Sequence, residues 1–268
     1  MQPRHLPQTL FNTARVEAWP GGLLRARGSQ DARLLAGADH VLRRKRDGLY
    51  LAVERGGELL PLRPGYRREP GLDAAMAALA RARRQRRSGI DAVPTLPLDR
   101  LHERLEVLGL DETEYTARTG LALVPEPAWL VLAGFDRYRR PTWLHPAAAR
   151  GWQQLQSGAL RDGVMLEAIS GYRSHDYQLG IFERKLARGQ SVAEILRVNA
   201  APGFSEHHGG RAMDIGTPGE PPAEASFEAT AAFAWLLENA AAHGFRLSYP
   251  RGNPHGIDYE PWHWAFAG

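Results

Sequence analysis

The chain contains no cysteine among its 268 residues. Disulfide bonds and thiolate metal ligands are therefore excluded, and any metal site has to use histidine and carboxylate side chains. The sequence also lacks an apolar run of eighteen or more residues, the length that predicts a membrane-spanning helix, so we expect no membrane segment. What remains is a globular chain whose chemistry depends on ten histidines and thirty acidic residues.

The first residues, 1–7, lack the apolar core of a secretory signal. We therefore expect a cytoplasmic protein, or a periplasmic or cell-wall protein whose signal segment has been trimmed. The absence of cysteine does not choose between these compartments.

The chain is basic, with a formal net charge of +4 and a pI near 9.6. Its basic residues cluster at 43–46 and 81–87. Such clusters can mark nucleic-acid binding, because neutralised phosphates release counterions. No nucleic-acid motif accompanies them, so we interpret both clusters as solvated faces and expect no nucleic-acid partner.

Two prolines, Pro125 and Pro127, oppose helix continuation and mark a predicted domain boundary. We predict an N-terminal domain over residues 1–124 and a second domain over 125–268. The N-terminal domain is expected to be smaller and mixed α/β, with a packing or positioning role. Its predicted elements are loops over 1–38 with one strand at 23–27, a β-meander over 40–62, and helices at 73–87, 98–108 and 111–119.

The second domain is predicted to be α+β. Proline at the first helical position and glycine after the last one help to set the helix limits. The predicted helices are 146–156, 176–188, 191–198 and 226–243, and the predicted strands are 164–169, 211–216, 246–249 and 262–266.

The segment SEHHGGRAMD, from Ser205 to Asp214, carries the main chemical signal. His207 and Asp214 are separated by glycines, which suits a turn followed by a strand. Asp214 lies between apolar residues, where an unpaired carboxylate is costly to bury and a cation removes that cost. Zinc accepts imidazole nitrogen and carboxylate oxygen, and a catalytic zinc site has three protein ligands. The segment therefore predicts two ligands of a metal site, with His208 facing solvent or lying behind the ligands.

The C-terminal segment YEPWHW, residues 259–264, supplies the third predicted ligand, His263. If Trp262 and Trp264 lie on a short buried strand, His263 reaches the ion and Glu260 faces the reacting water. H-E-x-x-H enzymes divide the work in the same way, with histidines holding zinc and a glutamate moving protons. Residue spacing alone thus predicts a hydrolytic metal site.

These motifs resemble those of the VanY-type D-alanyl-D-alanine carboxypeptidases of the M15 metallopeptidase family. The resemblance covers residues from about Trp129 to the end of the chain. One departure is that Ala265 and Phe266 follow the Trp-His-Trp, where members often carry arginine and tyrosine. The matching segments are S-x-H-x-x-G-x-A-x-D at Ser205–Asp214, E-x-W-H at Glu260–His263, SGYRS at Ser170–Ser174 and SYP at Ser248–Pro250.

The resemblance implies the fold shared by this family and the Hedgehog signalling domain, a small antiparallel sheet with flanking helices. It also implies a zinc cofactor, with Glu260 as the base and Arg173 as the side chain that grips the substrate peptide by a carbonyl or its terminal carboxylate. A planar bidentate donor suits that task better than lysine. Gln178 and Ser205 are further substrate-binding candidates.

The implied activity is removal of a terminal D-alanine from a peptidoglycan peptide. We expect an L,D-carboxypeptidase acting on tetrapeptides, because a cytosolic enzyme would meet mainly recycled tetrapeptides, and a D,D-carboxypeptidase acting on pentapeptides is the alternative. An endopeptidase or a peptidoglycan-binding module of the same fold is also considered. Glu260 argues against the binding module, since a pure binder needs no base beside the metal.

Overall fold

A computed structural model describes residues 8–26, 28–84 and 93–268. The chain it describes falls into two compact units. The first comprises Met1–Leu96 and Pro127–Leu132, and the second comprises Pro97–Glu126 and Ala133–Gly268. None of the helices in the described ranges combines the length and apolar character needed to cross a bilayer.

The first unit is built on an antiparallel sheet with the strand order β5-β4-β3-β2-β1-β6. The predicted meander over 40–62 corresponds to β3, β4 and β5, in which Val41 pairs with Val53, and Val53 with Leu60. The strands are β1 (Thr9–Asn12), β2 (Val16–Pro20), β3 (His40–Arg44), β4 (Tyr50–Arg55), β5 (Glu58–Pro61) and β6 (Trp129–Phe135), and the helices are α1 (Ser29–Leu35) and α2 (Leu72–Arg84).

One face of α2 forms the core of this unit with the sheet. Leu72, Ala75 and Leu79 recur at helical spacing and are buried. They belong to the same cluster as Val16 and Leu42 of the sheet. The predicted helix over 73–87 is seen to Arg84, and its last three predicted residues lie outside the described residues.

The prediction of loops over 1–38 with a strand at 23–27 was wrong for the described part of that range. The strands there are β1 and β2, followed by α1, and residues 23–26 are not in a strand. Glu17 obscured β2, because a charged residue is not expected on a buried strand. It is buried by pairing with Arg43, whose Nη1 lies 2.9 Å from the Glu17 carboxylate.

Residues 97–126 pack with the second unit, whereas the sequence analysis placed the boundary between 124 and 125. The helices α3 (Leu101–Val107) and α4 (Glu112–Thr119) lie in this segment. Leu101, Leu105 and Tyr115 form one core cluster with Phe204 and Tyr249. Burial of this apolar face explains why the segment belongs to the second unit.

The second unit contains an antiparallel sheet with the order β10-β11-β9-β8, flanked by helices. The small antiparallel sheet with flanking helices predicted for this part of the chain is confirmed. The unit also holds the end of β6 and the strand that follows it, β7. The bounds are β7 (Pro141–Leu144), α5 (Pro146–Arg161), β8 (Glu167–Ser170), α6 (His175–Leu186), α7 (Val192–Leu196), β9 (Ala212–Gly216), α8 (Ala231–Asn239), β10 (Phe245–Leu247) and β11 (His263–Phe266).

The helix predicted over 226–243 is divided in the structure. A 3₁₀ helix at Ala225–Ala229 precedes α8, and another at Ala240–His243 follows it. Thr230 adopts an extended conformation and caps α8, with its hydroxyl accepting a hydrogen bond from the Phe233 N–H at 3.1 Å. The single-helix prediction was wrong because the alanine-rich composition concealed this cap.

Candidate metal centre

Two neighbouring strands and one turn bring the predicted ligands together. Asp214 on β9 lies directly opposite His263 on β11 in the antiparallel register. His207 lies on the 3₁₀ turn Glu206–Gly209, which ends at Gly210 in the left-handed conformation with φ of 64°. Glycine tolerates that conformation without a Cβ clash, and the chain then enters β9.

The three side chains converge at distances suited to a single ion. One ligand atom from each residue lies within 4.8 Å of the other two. His207 Nε2 is 3.3 Å from Asp214 Oδ1, and His263 Nδ1 is 3.1 Å from the same oxygen. All three residues are buried. The structure therefore assembles the trio that the sequence analysis selected.

The orientation of His207 is fixed from behind. Its Nδ1 lies 2.7 Å from the carbonyl oxygen of Gly171, which only accepts, so Nδ1 carries the proton and Nε2 presents a lone pair. Nε2 is buried and has no hydrogen-bond partner among the described residues. Burial lowers the pKa of His207 to about 4, which keeps the ring neutral. A neutral imidazole aimed at a buried carboxylate is a fitting cation ligand.

Gly171 allows this close approach. A Cβ at this position would lie 2.8 Å from the Thr142 Cγ2 atom and 3.0 Å from the Trp143 carbonyl oxygen. A larger residue would therefore displace the carbonyl that orients His207.

Glu206 orients the second histidine, and the sequence analysis missed it. Its Oε2 lies 2.9 Å from His263 Nε2, which leaves Nδ1 of His263 facing Asp214. Arg246 donates to the other oxygen of Glu206 at 3.0 Å. Burial acts against it, but the contacts with Asp214 and Glu206 raise the pKa of His263 to about 10, so a metal ion bound at Nδ1 would take the place of a proton there. The available signal was the position of Glu206 directly before a predicted ligand.

The chemistry of the three donors fits zinc. Two imidazole nitrogens and one carboxylate oxygen match the three-ligand pattern of catalytic zinc sites. Burial would raise the pKa of Asp214, but the adjacent His207 and His263 hold the pKa well below its usual range, so the carboxylate is charged. A buried anion among imidazoles is stabilised by a cation.

Asp214 and His263 open onto a cavity of about 460 Å³. Arg173, Ser205 and Glu260 also line it. The Glu260 carboxylate is 3.8 Å from His263 Nδ1. Burial raises the pKa of Glu260 to about 7, so this group exchanges protons near neutral pH. The structure thus places the predicted base beside the predicted ligands.

The three substrate-binding candidates are placed differently. Arg173 and Ser205 line the cavity, and Arg173 Nε is buried with no hydrogen-bond partner among the described residues. Gln178 does not line it. Its Nε2 instead donates to the Ala200 carbonyl at 2.8 Å, on a residue that does line the cavity. Gln178 is therefore positioned to shape the cavity wall from behind.

His208 does not face solvent, which was one of the two positions expected for it. It is fully buried, and its Nδ1 lies 2.7 Å from the Arg173 carbonyl oxygen. The adjacent histidines of the motif thus point in different directions, His207 toward Asp214 and His208 toward the backbone of Arg173.

The arrangement defines a class: an α+β unit in which two histidines and one aspartate form a candidate metal centre beside a partly buried glutamate. A family model described as "VanY: D-alanyl-D-alanine carboxypeptidase" matches residues 141–268. The chain belongs to this family, and the resemblance inferred from the motifs is confirmed.

Curated relatives agree with this membership. The putative carboxypeptidase YodJ of Bacillus subtilis is 34% identical over 152 residues, covering 53% of this chain and 55% of the relative. The bifunctional D-Ala-D-Ala dipeptidase and D-Ala-D-Ala carboxypeptidase VanXYC of Enterococcus gallinarum is 32% identical over 149 residues, covering 53% of this chain and 76% of the relative. The chain thus spans about half the length of YodJ. A solved structure of VanYB in complex with D-Alanine-D-Alanine is 31% identical, with 47% of this chain and 74% of that chain covered and a TM-score of 0.42.

Proposed function

We propose that the protein is a zinc-dependent carboxypeptidase that releases a terminal D-alanine from peptidoglycan peptides. The observation that carries the proposal is the convergence of His207, Asp214 and His263 on one point, with Glu260 on the cavity that Asp214 and His263 also line. Membership of the VanY family supports the substrate class.

His207, Asp214 and His263 would hold the zinc ion. When bound, zinc polarises the scissile carbonyl and lowers the pKa of water toward about 7. The burial of all three ligands and the hydrogen bonds behind the two histidines keep the donor atoms in place without substrate.

Glu260 would transfer the proton. Its carboxylate accepts a proton from the attacking water as the water oxygen bonds to the carbonyl carbon of the scissile peptide. The carbon–nitrogen bond then breaks, and Glu260 returns the proton to the departing D-alanine amine. A carboxyl with a pKa raised by burial to about 7 suits both the uptake and the return.

Arg173 would hold the peptide. Arg173 lines the cavity, and its guanidinium would donate to the terminal carboxylate or to a peptide carbonyl. Ser205 lines the same cavity and is buried, so its hydroxyl is a second candidate contact.

Replacing the proposed base tests the proposal. We expect Glu260→Ala to lower kcat for D-alanine release by a factor of about 10² to 10⁴. Zinc content, measured on the purified variant, should match the wild type, because Glu260 is not among the three ligands. Glu112→Ala, an exposed glutamate in the first turn of α4, serves as the control and should retain full turnover. Unchanged turnover in Glu260→Ala would refute Glu260 as the base. A wild-type protein that binds peptidoglycan without releasing D-alanine, with binding unchanged in Glu260→Ala, would favour the binding module.

The choice of bond is tested with defined peptides. We expect the tetrapeptide, in which an L centre precedes D-alanine, to be the substrate, and the pentapeptide with a D,D bond is the alternative. Product masses after digestion of each peptide separate the two, and release from the pentapeptide alone contradicts the expectation. Cleavage of internal cross-links in intact peptidoglycan would instead identify an endopeptidase.

A further inference from the structure

We infer that Glu126 and His208 are positioning residues that set the place of Arg173 in the substrate cavity. The inference rests on the proposed function, in which Arg173 binds the peptide. It concerns residues to which the sequence analysis gave no role in substrate binding, and Glu126 precedes the region matched by the family model.

Glu126 holds the chain on both sides of Arg173. One carboxylate oxygen accepts a hydrogen bond from the Tyr172 hydroxyl at 2.6 Å, and the other accepts one from the His175 N–H at 2.9 Å. Only 3% of Glu126 is exposed, so water does not compete with these bonds. One buried carboxylate thus fixes the residue before Arg173 and the second residue after it.

His208 holds Arg173 itself. Its Nδ1 donates to the Arg173 carbonyl at 2.7 Å, and its Nε2 accepts from the Gly203 N–H at 3.1 Å. Since one ring nitrogen donates and the other accepts, the ring is held as a single neutral tautomer. The Arg173 N–H also donates to the His207 carbonyl at 3.3 Å. Both backbone groups of Arg173 are therefore anchored.

Val124 connects the two anchors. Its N–H donates to the Gly203 carbonyl at 2.8 Å, and its carbonyl lies 2.9 Å from His175 Nε2. The rings of His175 and His208 meet edge to face with centroids 4.3 Å apart. The result is a closed set of contacts in which the segment ending at Glu126 supports the backbone of Arg173.

Such support matters for an arginine that binds substrate. The side chain is long, and its entropy opposes a single bound geometry unless its base is fixed. A misplacement of about 1 Å in a positioning group can cost on the order of 10²-fold in rate. Loss of the contacts that Glu126 and His208 make is therefore expected to change substrate binding, and to do so only when Arg173 is present.

A double-mutant cycle tests this. Glu126→Gln keeps the side-chain size but leaves a single oxygen acceptor, so it cannot accept from both Tyr172 and His175. We expect KM for the cleaved peptide to rise about ten-fold, with zinc content unchanged. In the Arg173→Ala background the same substitution should change kcat/KM less than two-fold.

Glu17→Gln provides the matched control. Glu17, like Glu126, is 3% exposed; it pairs with Arg43 and lies in the first unit. The Glu17→Gln substitution should leave KM unchanged. If Glu126→Gln lowers kcat/KM by the same factor with and without Arg173, its role is purely structural and the inference is overturned.

His208 supplies a second, independent test if Glu126→Gln does not fold. The amide nitrogen of asparagine reaches the place of histidine Nδ1, whereas glutamine reaches that of Nε2. We expect His208→Gln to raise KM and His208→Asn to keep KM close to the wild-type value. Equal KM values for the two variants would overturn the inference. A wild-type protein inactive on both peptides would instead refute the proposed function. An Arg173→Ala variant with normal KM would remove the premise and the inference with it.

Discussion

At the scale of single residues, the contact between Glu206 and His263 has a measurable consequence. The Glu206 carboxylate holds the His263 ring so that the opposite nitrogen faces Asp214. We expect Glu206→Gln to weaken zinc binding about 10-fold to 100-fold, the usual effect of losing a partner behind a ligand. Competition with a chromogenic chelator measures this affinity directly.

The control for Glu206 is Arg246, which bonds to Glu206 from a side chain that is 58% exposed. Exposed ion pairs contribute little free energy, so Arg246→Ala should change zinc affinity much less than Glu206→Gln does. Equal affinities for wild type and Glu206→Gln would show that the strand register alone orients His263.

The sequence was enough to select the residues of a spaced motif as candidates, but it was not enough to select the residues that support them. His207, Asp214, His263 and Glu260 follow from donor chemistry and from family resemblance. Glu126 could not be found in this way, because its partners Tyr172 and His175 are distant in sequence and nothing local marks the contact. Only the folded chain reveals such partners.

At the scale of secondary-structure elements, Thr230 is the residue that divides the predicted long helix. Its hydroxyl caps α8, so we expect Thr230→Ala to reduce the free energy of unfolding by about 1 kcal/mol. Urea denaturation measures the change. Thr230→Ser retains the hydroxyl and should behave nearly as the wild type; an equal loss in both variants would assign the effect to the lost methyl group.

The elements show where a sequence pattern is informative. The strands of the central motif and the C-terminus were predicted to within a residue or two, since apolar residues surround Asp214 and His263. The strand β2 was missed because it carries Glu17, whose partner Arg43 lies on β3. Prediction of the element type fails where a buried charged residue, paired with a distant partner, interrupts the apolar pattern.

At the scale of the whole molecule, metal binding is expected to stabilise the second unit. The three proposed ligands come from two distant segments of the chain, 207–214 and His263, and meet only in the folded state. Zinc at about 100 times its dissociation constant should therefore add about 2.7 kcal/mol to the free energy of unfolding. Thermal unfolding with and without zinc measures the shift.

The His263→Ala variant should lose most of this zinc-dependent shift. His102→Ala, an exposed histidine on α3, should keep it. A shift that survives in His263→Ala would mean that zinc acts at another place on the molecule.

The division into two units also shows the limit of composition as a guide. Pro125 and Pro127 were chosen as the boundary for their local effect on the backbone, but Leu101 and Leu105 of the preceding helix α3 belong to a core cluster of the second unit. The division into units depends on which apolar residues are buried together, and a local pair of prolines does not indicate this.

The direct pairing of Asp214 with His263 makes the metal centre sensitive to strand alignment. Side chains alternate across a strand, so a slip of one residue between β9 and β11 would turn one of these ligands to the opposite face. A single inserted or deleted residue inside either strand would therefore abolish the site. A measurement of zinc binding would therefore show whether β9 and β11 have paired in their native register.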